Sequence, residues 1–224
     1  MAINDHPSSD MLLRYAMGNT SEAESLIISC HIAYCPLCKA ELDKYETIGG
    51  YYLNNHKELN VSKDLWKNIL EKVDDVEQEQ FQSNYTSYAI KSNLCDDYIK
   101  IPSTLSDYLE ADLNTNKWKS TINNVKYKDI KFKDLNISGK LLEIPANKSM
   151  PKHGHEGLEA TLVIHGGYSD ERGEYNKGDL VVANNEEVHS PVSADPSGCI
   201  CLVVYSGSLQ FKGLLGSILN LTKF

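Results

Sequence analysis

The chain has 224 residues, enough for one large domain or two small ones. It carries 31 acidic residues against 22 Lys and Arg, which gives a formal net charge of −9. Such a surface repels nucleic-acid phosphates and anionic lipids, so we expect no direct nucleic-acid contact and no membrane contact, and a protein partner is favoured.

The chain does not open with a basic region followed by an apolar stretch, so no secretory signal is predicted. No uninterrupted apolar run reaches the length of about 18 residues that a membrane span needs. We therefore expect a cytoplasmic protein. In that reducing compartment its six cysteines are expected to be ligands, redox thiols or core residues, and not a disulfide framework.

The first eighty residues are predicted to form helices. Ser9 or Asp10 is expected to cap a first short helix, which Gly18 ends. Ser21 and Glu24 have the spacing of a capping box, which opens a second helix.

Two more helices are predicted before the composition changes. Pro36 suits the first position of a third helix. A fourth begins near Ser62, because apolar residues follow it at helical spacing: Leu65, Trp66, Ile69, Leu70 and Val73.

The second half of the chain is predicted to be β-structure. From Glu77 to about Lys100 the residues are mostly polar, which indicates a linker. After about Asp107, short apolar runs alternate with turn residues, a pattern typical of a sandwich or barrel. We therefore predict a small helical domain, a linker and an all-β domain, at 1–80, 81–106 and 107–224.

The helical part contains a metal-binding pattern. His31, Cys35 and Cys38 would share one face of a continuous helix, or meet at a helix junction if Pro36 starts a new helix. His6 is the candidate fourth ligand, since structural zinc takes four nitrogen or sulfur atoms. The alternatives are two buried thiols beside a surface histidine, or a redox pair, although no strand leads into it.

A histidine near the start followed by His-x3-Cys-x2-Cys resembles the zinc-binding anti-sigma domain. The resemblance implies that His6, His31, Cys35 and Cys38 bind zinc, and that the domain forms a heterodimer with a group IV (extracytoplasmic-function, ECF-type) sigma factor. It also makes two apolar faces candidates for contacting sigma: Leu12, Leu13 and Tyr15 on the first helix, and Leu65, Trp66, Ile69 and Leu70 on the fourth. The alternative is that these faces pack on each other.

The β-rich part contains a second metal-binding pattern. His153 and His155, two apart, can face the same side of a strand, with Glu159 and His189 on later strands. Three imidazoles and a carboxylate suit zinc, manganese, iron or nickel, and zinc is expected first. His165 is interpreted as lining a barrel or supporting a ligand, and His56 lies outside both patterns and is expected at the surface.

The second pattern resembles the two cupin motifs, which implies a double-stranded β-helix barrel. The loop residues differ from those motifs at four positions: Asn147, Asn184, Glu186 and Ser193. Cys199 and Cys201 are also two apart in a β-like run. They are interpreted either as core residues or as a thiol pair, near the metal, that is open to oxidation.

The order of the two patterns resembles the ChrR-type anti-sigma factors. The resemblance implies that the helical domain holds a sigma factor inactive. It also implies that the cupin is not an enzyme but relays a signal, singlet oxygen or an organic peroxide. That signal releases the sigma factor. The alternative is a cupin metalloenzyme of the oxygenase or oxidase type with a helical accessory domain.

Overall fold

The computed structural model describes residues 2–74, 88–92, 94, 98–113, 118–185, 187–193 and 195–211. The chain begins with four helices, α1 (Ser9–Ala16), α2 (Glu22–Ile32), α3 (Pro36–Asn54) and α4 (Lys63–Asp74). A hairpin of β1 (Ala89–Lys91) and β2 (Tyr98–Lys100) follows, and then helix α5 (Ser103–Leu113). None of the described helices is both long and apolar enough to cross a membrane.

The rest of the described chain is β-structure. Its strands are β3 (Lys119–Ser120), β4 (Lys126–Ile130), β5 (Ile137–Ile144), β6 (His153–His155), β7 (Glu159–Ser169), β8 (Glu174–Asn176), β9 (Leu180–Ala183), β10 (Val188–His189), β11 (Cys199–Ser206) and β12 (Leu209–Phe211). The larger sheet has the order β3-β4-β5-β11-β7-β8, and β9 also pairs with β7. The smaller sheet has the order β10-β6-β12. The predicted fold class, a helical domain joined to an all-β cupin domain, is confirmed.

Local sequence accounts for where the helices begin. Ser21 and Glu24 form the predicted capping box at the start of α2, and Pro36 occupies the first turn of α3. The predicted cap of α1 is wrong by one residue, since the side chain of Ser8 accepts the Met11 amide and Ser9 is already helical. Gly18 follows the end of α1 and has a φ of +68°, a backbone conformation that favours glycine.

The helical and β-rich parts share one hydrophobic core. Alternate residues of β11 face opposite sides, as expected of a strand. One set joins the core that α2 covers, and the other lies inside the β-structure. The α2 side has Ile200, Leu202 and Val204 together with Leu26, Ile27 and Ile28, and the inner side has Cys199, Cys201, Val203 and Tyr205. Strand β11 is therefore buried on both faces.

The interval predicted to be a linker, 81–106, contains ordered secondary structure. Ile90 and Ile99 pair across the β1–β2 hairpin and are buried, and Leu105 of α5 is fully buried. The linker interpretation is wrong for these residues, because a few well-spaced apolar side chains in a polar segment were enough to join the core. Residues 81–87 and 212–224 lie outside the described part of the chain, and the domain limits remain a prediction.

Candidate metal centres

The first metal group forms where α2 meets α3. His31 lies at the end of α2, Cys35 is the N-cap of α3, and Cys38 is in its first turn. His6 reaches the same point from the segment before α1. One ligand atom from each of the four residues lies within 4.8 Å of every other. Of the two predicted geometries, the structure has the junction of two helices.

The distances within this group fit a small tetrahedral ion. His31 Nε2 lies 3.3 Å from Cys38 Sγ, and His6 Nδ1 lies 3.4 Å from Sγ of both Cys35 and Cys38. Zinc bonds of about 2.0–2.3 Å to nitrogen and sulfur place tetrahedral ligand atoms about 3.3–3.8 Å apart. The donor set and its spacing therefore suit a closed structural metal site.

Burial shifts the pKa values of the histidine and cysteine ligands in opposite directions. It lowers the pKa of His31 to about 4, so the imidazole is neutral at neutral pH, as a metal ligand must be. It raises the pKa of Cys38 to about 12, with the nearby Cys35 adding to the shift. The Cys38 thiolate is therefore stable only beside a positive charge. Cys30 faces Thr104 instead and is not part of the group.

The second metal group lies among short strands of the β-rich part. Strand β6 supplies His153 and His155, β7 begins with Glu159, and β10 ends with His189, which pairs with His153 across the strands. All four residues are buried, and their ligand atoms again lie within 4.8 Å of one another. The four residues predicted from the sequence are therefore brought together.

Hydrogen bonds direct the imidazoles of this group. Nδ1 of His153 lies 2.8 Å from the Pro151 carbonyl oxygen, and Nδ1 of His189 lies 3.1 Å from Asp170 Oδ2. Each Nδ1 can donate a hydrogen there, which leaves the lone pair on Nε2 facing the group. Arg172 in turn forms an ion pair with Asp170.

The same group has the electrostatics of a cation site. The Nε2 atoms of His155 and His189 are only 3.1 Å apart, so two lone pairs would repel unless a proton or a metal ion lay between them. Burial lowers the pKa of His153 to about 4 and of His155 to about 3, which disfavours a proton at neutral pH. The Glu159 carboxylate, 3.7 Å from His189 Nε2, could complete a metal ligand set.

A cavity adjoins the second group. Three ligands line it, and burial raises the pKa of one of them, Glu159, to about 7. The rest of the wall is mostly apolar: Leu142, Ile144, Met150, Tyr168, Pro191, Cys201 and Val203. A small molecule in this cavity would lie against the metal group.

The two late cysteines lie together beside this cavity. Cys199 and Cys201 are buried, and their Sγ atoms are 3.2 Å apart, so they are two thiols and not a disulfide. Their contact and their burial raise the pKa of Cys199 well above its usual value. His165 lies outside the metal group, and His56 is exposed, as expected.

The predicted sigma-contacting residues fall into two classes. Leu12 is fully buried in the shared core, so the structure contradicts its place on a contact surface; its neighbours on that face, Leu13 and Tyr15, are partly accessible. The four residues of α4 are between 43% and 62% exposed: Leu65, Trp66, Ile69 and Leu70. They form an apolar face that no other part of the described chain covers.

Some functional candidates carried no recognisable sequence signal. Asp170 and Arg172 lie in a turn with no motif, and Asp170 is 19 positions from the histidine it contacts. The end of α3 also exposes apolar residues: Ile48, Tyr51, Tyr52 and Leu53. Helical periodicity was visible there, but periodicity does not tell a covered face from an open one.

Known proteins resemble this chain in sequence and in fold. The ChrR cupin-like domain matches residues 109–209. Anti-sigma-E factor ChrR of Cereibacter sphaeroides is 28% identical over 220 residues, which are 98% of each protein.

Two solved structures extend the comparison. The crystal structure of Rhodobacter sphaeroides SigE in complex with the anti-sigma ChrR contains a similar chain, with a TM-score of 0.72 and 27% identity over 92% of this chain and 100% of that one. An RmlC-like cupin protein of Ralstonia eutropha is 22% identical with a TM-score of 0.41, covering 45% of this chain and 69% of that one. Over nearly its whole length the chain is therefore similar to an anti-sigma ChrR, and residues 109–209 match the ChrR cupin-like domain.

Proposed function

We propose that this chain is an anti-sigma factor: its helical domain holds a group IV, ECF-type sigma factor in a heterodimer and keeps it from RNA polymerase. The observation that carries the proposal is the fold similarity over 92% of the chain to a protein crystallised with SigE, joined to sequence similarity over 98% of the chain to ChrR. The acidic net charge, −9, fits a protein partner and disfavours nucleic acid.

The surface for sigma in this proposal is the exposed apolar face of α4, together with the exposed apolar residues at the end of α3. Every described side chain from Val61 to Val73 is exposed, although α4 is amphipathic. A helix of this kind normally covers its apolar face, and an uncovered one marks an interaction site. Trp66 and the aliphatic residues around it are the type of anchor that carries binding energy in interfaces.

The metals in this proposal have different tasks. Zinc in the His/Cys group holds α2, α3 and the start of the chain together, because binding to a site formed only in the folded state adds to stability. The cupin group takes zinc, or alternatively manganese, iron or nickel, whose ligand preferences overlap. Metal and cavity together serve as a sensor in a cytoplasmic protein that catalyses no reaction.

The signal in this proposal is oxidative, either singlet oxygen or an organic peroxide. The cavity wall includes Cys201, whose sulfur is 3.2 Å from that of Cys199. A peroxide that entered could take two hydrogens from this thiol pair, leaving a disulfide, water and an alcohol. The change inside the barrel would then weaken the hold of the helical domain on sigma.

The test is a binding measurement with a purified ECF-type sigma factor and the full chain. Ile69→Asp places a charge on the exposed apolar face of α4, and Asn68→Asp places the same charge on its polar face. We expect Ile69→Asp to weaken binding about 30-fold or more, the effect of losing an interface anchor, and Asn68→Asp to bind normally. Equal affinities would remove α4 from the interface.

The oxidative part of the proposal needs its own arm. Treating the preformed complex with an organic peroxide should release sigma, and the Cys199→Ser and Cys201→Ser double variant should release less. Release that is unchanged in the double variant would exclude the thiols as the sensor while leaving sigma binding intact.

A metalloenzyme of the oxygenase or oxidase type remains the second candidate, because the cavity lined by His153, Glu159 and His189 has apolar walls that suit a small organic molecule. Oxygen consumption by the metal-loaded protein, screened with small organic acids and diketones, distinguishes the two candidates. Turnover that is lost in His153→Ala would favour the enzyme, and its absence alongside tight sigma binding would favour the anti-sigma factor.

A further inference from the structure

The metal group of the helical domain is contacted by a turn of the β-rich domain. The turn consists of residues 177–179 and joins Asn176, the last residue of β8, to Leu180, the first of β9. The carbonyl oxygen of Gly178 lies 2.8 Å from His31 Nδ1, although the two residues are 147 positions apart. His31 Nε2 faces Cys38 Sγ. A hydrogen on Nδ1, donated to the carbonyl, fixes the tautomer in which Nε2 is free to bind a metal ion.

The same turn also holds the backbone next to His6. The amides of Asn4 and Asp5 donate to Asp179 Oδ1 at 2.7 and 3.1 Å. The Leu180 amide donates to the Asp5 carbonyl oxygen at 2.9 Å. Asp179 is fully buried, and its second carboxylate oxygen accepts the Asn176 amide. Asp5, directly before His6, therefore makes two hydrogen bonds to the β-rich domain, and its neighbour Asn4 makes a third.

Close packing completes the contact. Gly178 has a φ of +97°, and a Cβ atom there would lie 2.5 Å from the side chain of Ile3 and 3.4 Å from Cβ of Tyr34. Tyr34 directly precedes Cys35. The turn therefore approaches both the start of the chain and the α2–α3 junction, which are the two segments that carry the metal ligands.

We propose that Gly178 and Asp179 are positioning residues for the metal site of the helical domain, so that both domains hold the ion. Gly178 orients His31 through its carbonyl oxygen, and Asp179 positions His6 through the backbone of Asn4 and Asp5. The inference rests on metal binding by the His/Cys group as proposed above, and it does not require that the partner be a sigma factor.

The test compares two substitutions at one exposed position. Asn4→Pro removes the amide that donates to Asp179, whereas Asn4→Ala loses the same side chain and keeps that amide. Asp179→Ala removes the acceptor itself, and Asp134→Ala is its control, an exposed aspartate in a different turn of the β-rich domain. None of the three residues substituted is a candidate ligand.

The measurement is the rate at which the full chain, loaded with cobalt(II), loses metal to an excess of chelator. The thiolate-to-cobalt charge-transfer band reports the site with cysteine ligands, and near-ultraviolet circular dichroism checks the fold. We expect Asn4→Pro and Asp179→Ala to lose the band about tenfold faster or more, the usual effect of removing a group that orients a ligand. Asn4→Ala and Asp134→Ala should match the unmodified protein.

Two results would overturn the inference. One is a folded Asn4→Pro protein that releases cobalt at the rate of the unmodified protein. This result would be decisive even if Asp179→Ala did not fold. The other is an unmodified protein without a thiolate band, which would also end the metal assignment of the His/Cys group. Loss of sigma binding alone, with the band and its kinetics as expected, would instead leave the inference supported and count against the proposed function.

Discussion

Histidine tautomers are set by hydrogen bonds in both metal groups. His31 faces a backbone carbonyl in the helical group, and His153 does the same in the cupin group. His189 differs from both because its Nδ1 faces a carboxylate, that of Asp170. A carboxylate makes the imidazole a stronger ligand than a carbonyl does, so Asp170 is expected to matter for metal affinity.

The residue-scale prediction concerns that carboxylate. Asp170→Asn keeps the size of the side chain and removes its charge, so we expect the cupin group to bind metal about 10- to 100-fold more weakly. Metal content after dialysis against a competing chelator measures the effect. Asp134→Asn, in an exposed turn, is the matched control and should retain full metal; equal retention by both variants would contradict the role of Asp170.

The sequence predicted the ligands better than the residues that orient them. His6, His31, Cys35 and Cys38 were identifiable because ligand chemistry has a spacing pattern that the sequence displays. Gly178 and Asp179 were not, because each acts through a contact with a segment more than 140 positions away. No local pattern records such a contact.

The helices differ in what their apolar residues do. The apolar residues of α2 lie in the core shared with the β-rich domain, whereas those of α4 remain exposed. The apolar residues of α4 recur at helical spacing, whereas α2 has three in succession, Leu26, Ile27 and Ile28. Only the structure assigns one to the core and the other to a surface.

The element-scale prediction uses one substitution in each helix. Ile27 of α2 is fully buried and Ile69 of α4 is 43% exposed. We expect Ile27→Ala to lower the free energy of unfolding by about 2–5 kcal/mol, the cost of a buried cavity. Ile69→Ala should change it by about 0.5 kcal/mol or less. Urea denaturation measures both, and a similar loss in the two variants would mean that α4 packs against the rest of the chain.

The hairpin and α5 were the elements that sequence patterns missed. Their segment is rich in Asn, Ser and Asp, which normally indicates a linker. Its apolar residues are too few to show a period in so short an interval. Burial of Leu105 against α2 depends on the β-rich domain presenting a surface there, so tertiary packing decided the structure of this segment.

The two domains are expected to unfold together. One hydrophobic core contains Leu12 and Ile27 of the helices along with Leu162 and Leu202 of the larger sheet. Strand β9 adds a second connection, because it begins with Leu180, which binds Asp5, and ends with Ala183, which pairs with Glu159 of the cupin group. Strand β9 therefore contacts Asp5, next to His6, at one end and Glu159 at the other.

The whole-molecule prediction follows from this shared core. In the cobalt-loaded chain carrying Trp66→Phe, urea should abolish the thiolate band and change the fluorescence of Trp118 at the same concentration, because neither domain keeps its core without the other. The first signal reports the helical domain and the second the β-rich domain. Two separate transitions would show that the domains are independently stable.

The contact between Gly178 and His31 also has a consequence for biosynthesis. The ribosome synthesises all four ligands of the helical metal group by residue 38, long before it adds Gly178, whose carbonyl orients His31. An ion captured by the nascent chain is thus held at first by the helices alone. Its coordination becomes final only when the β-rich domain folds, so the site is completed after synthesis of that domain.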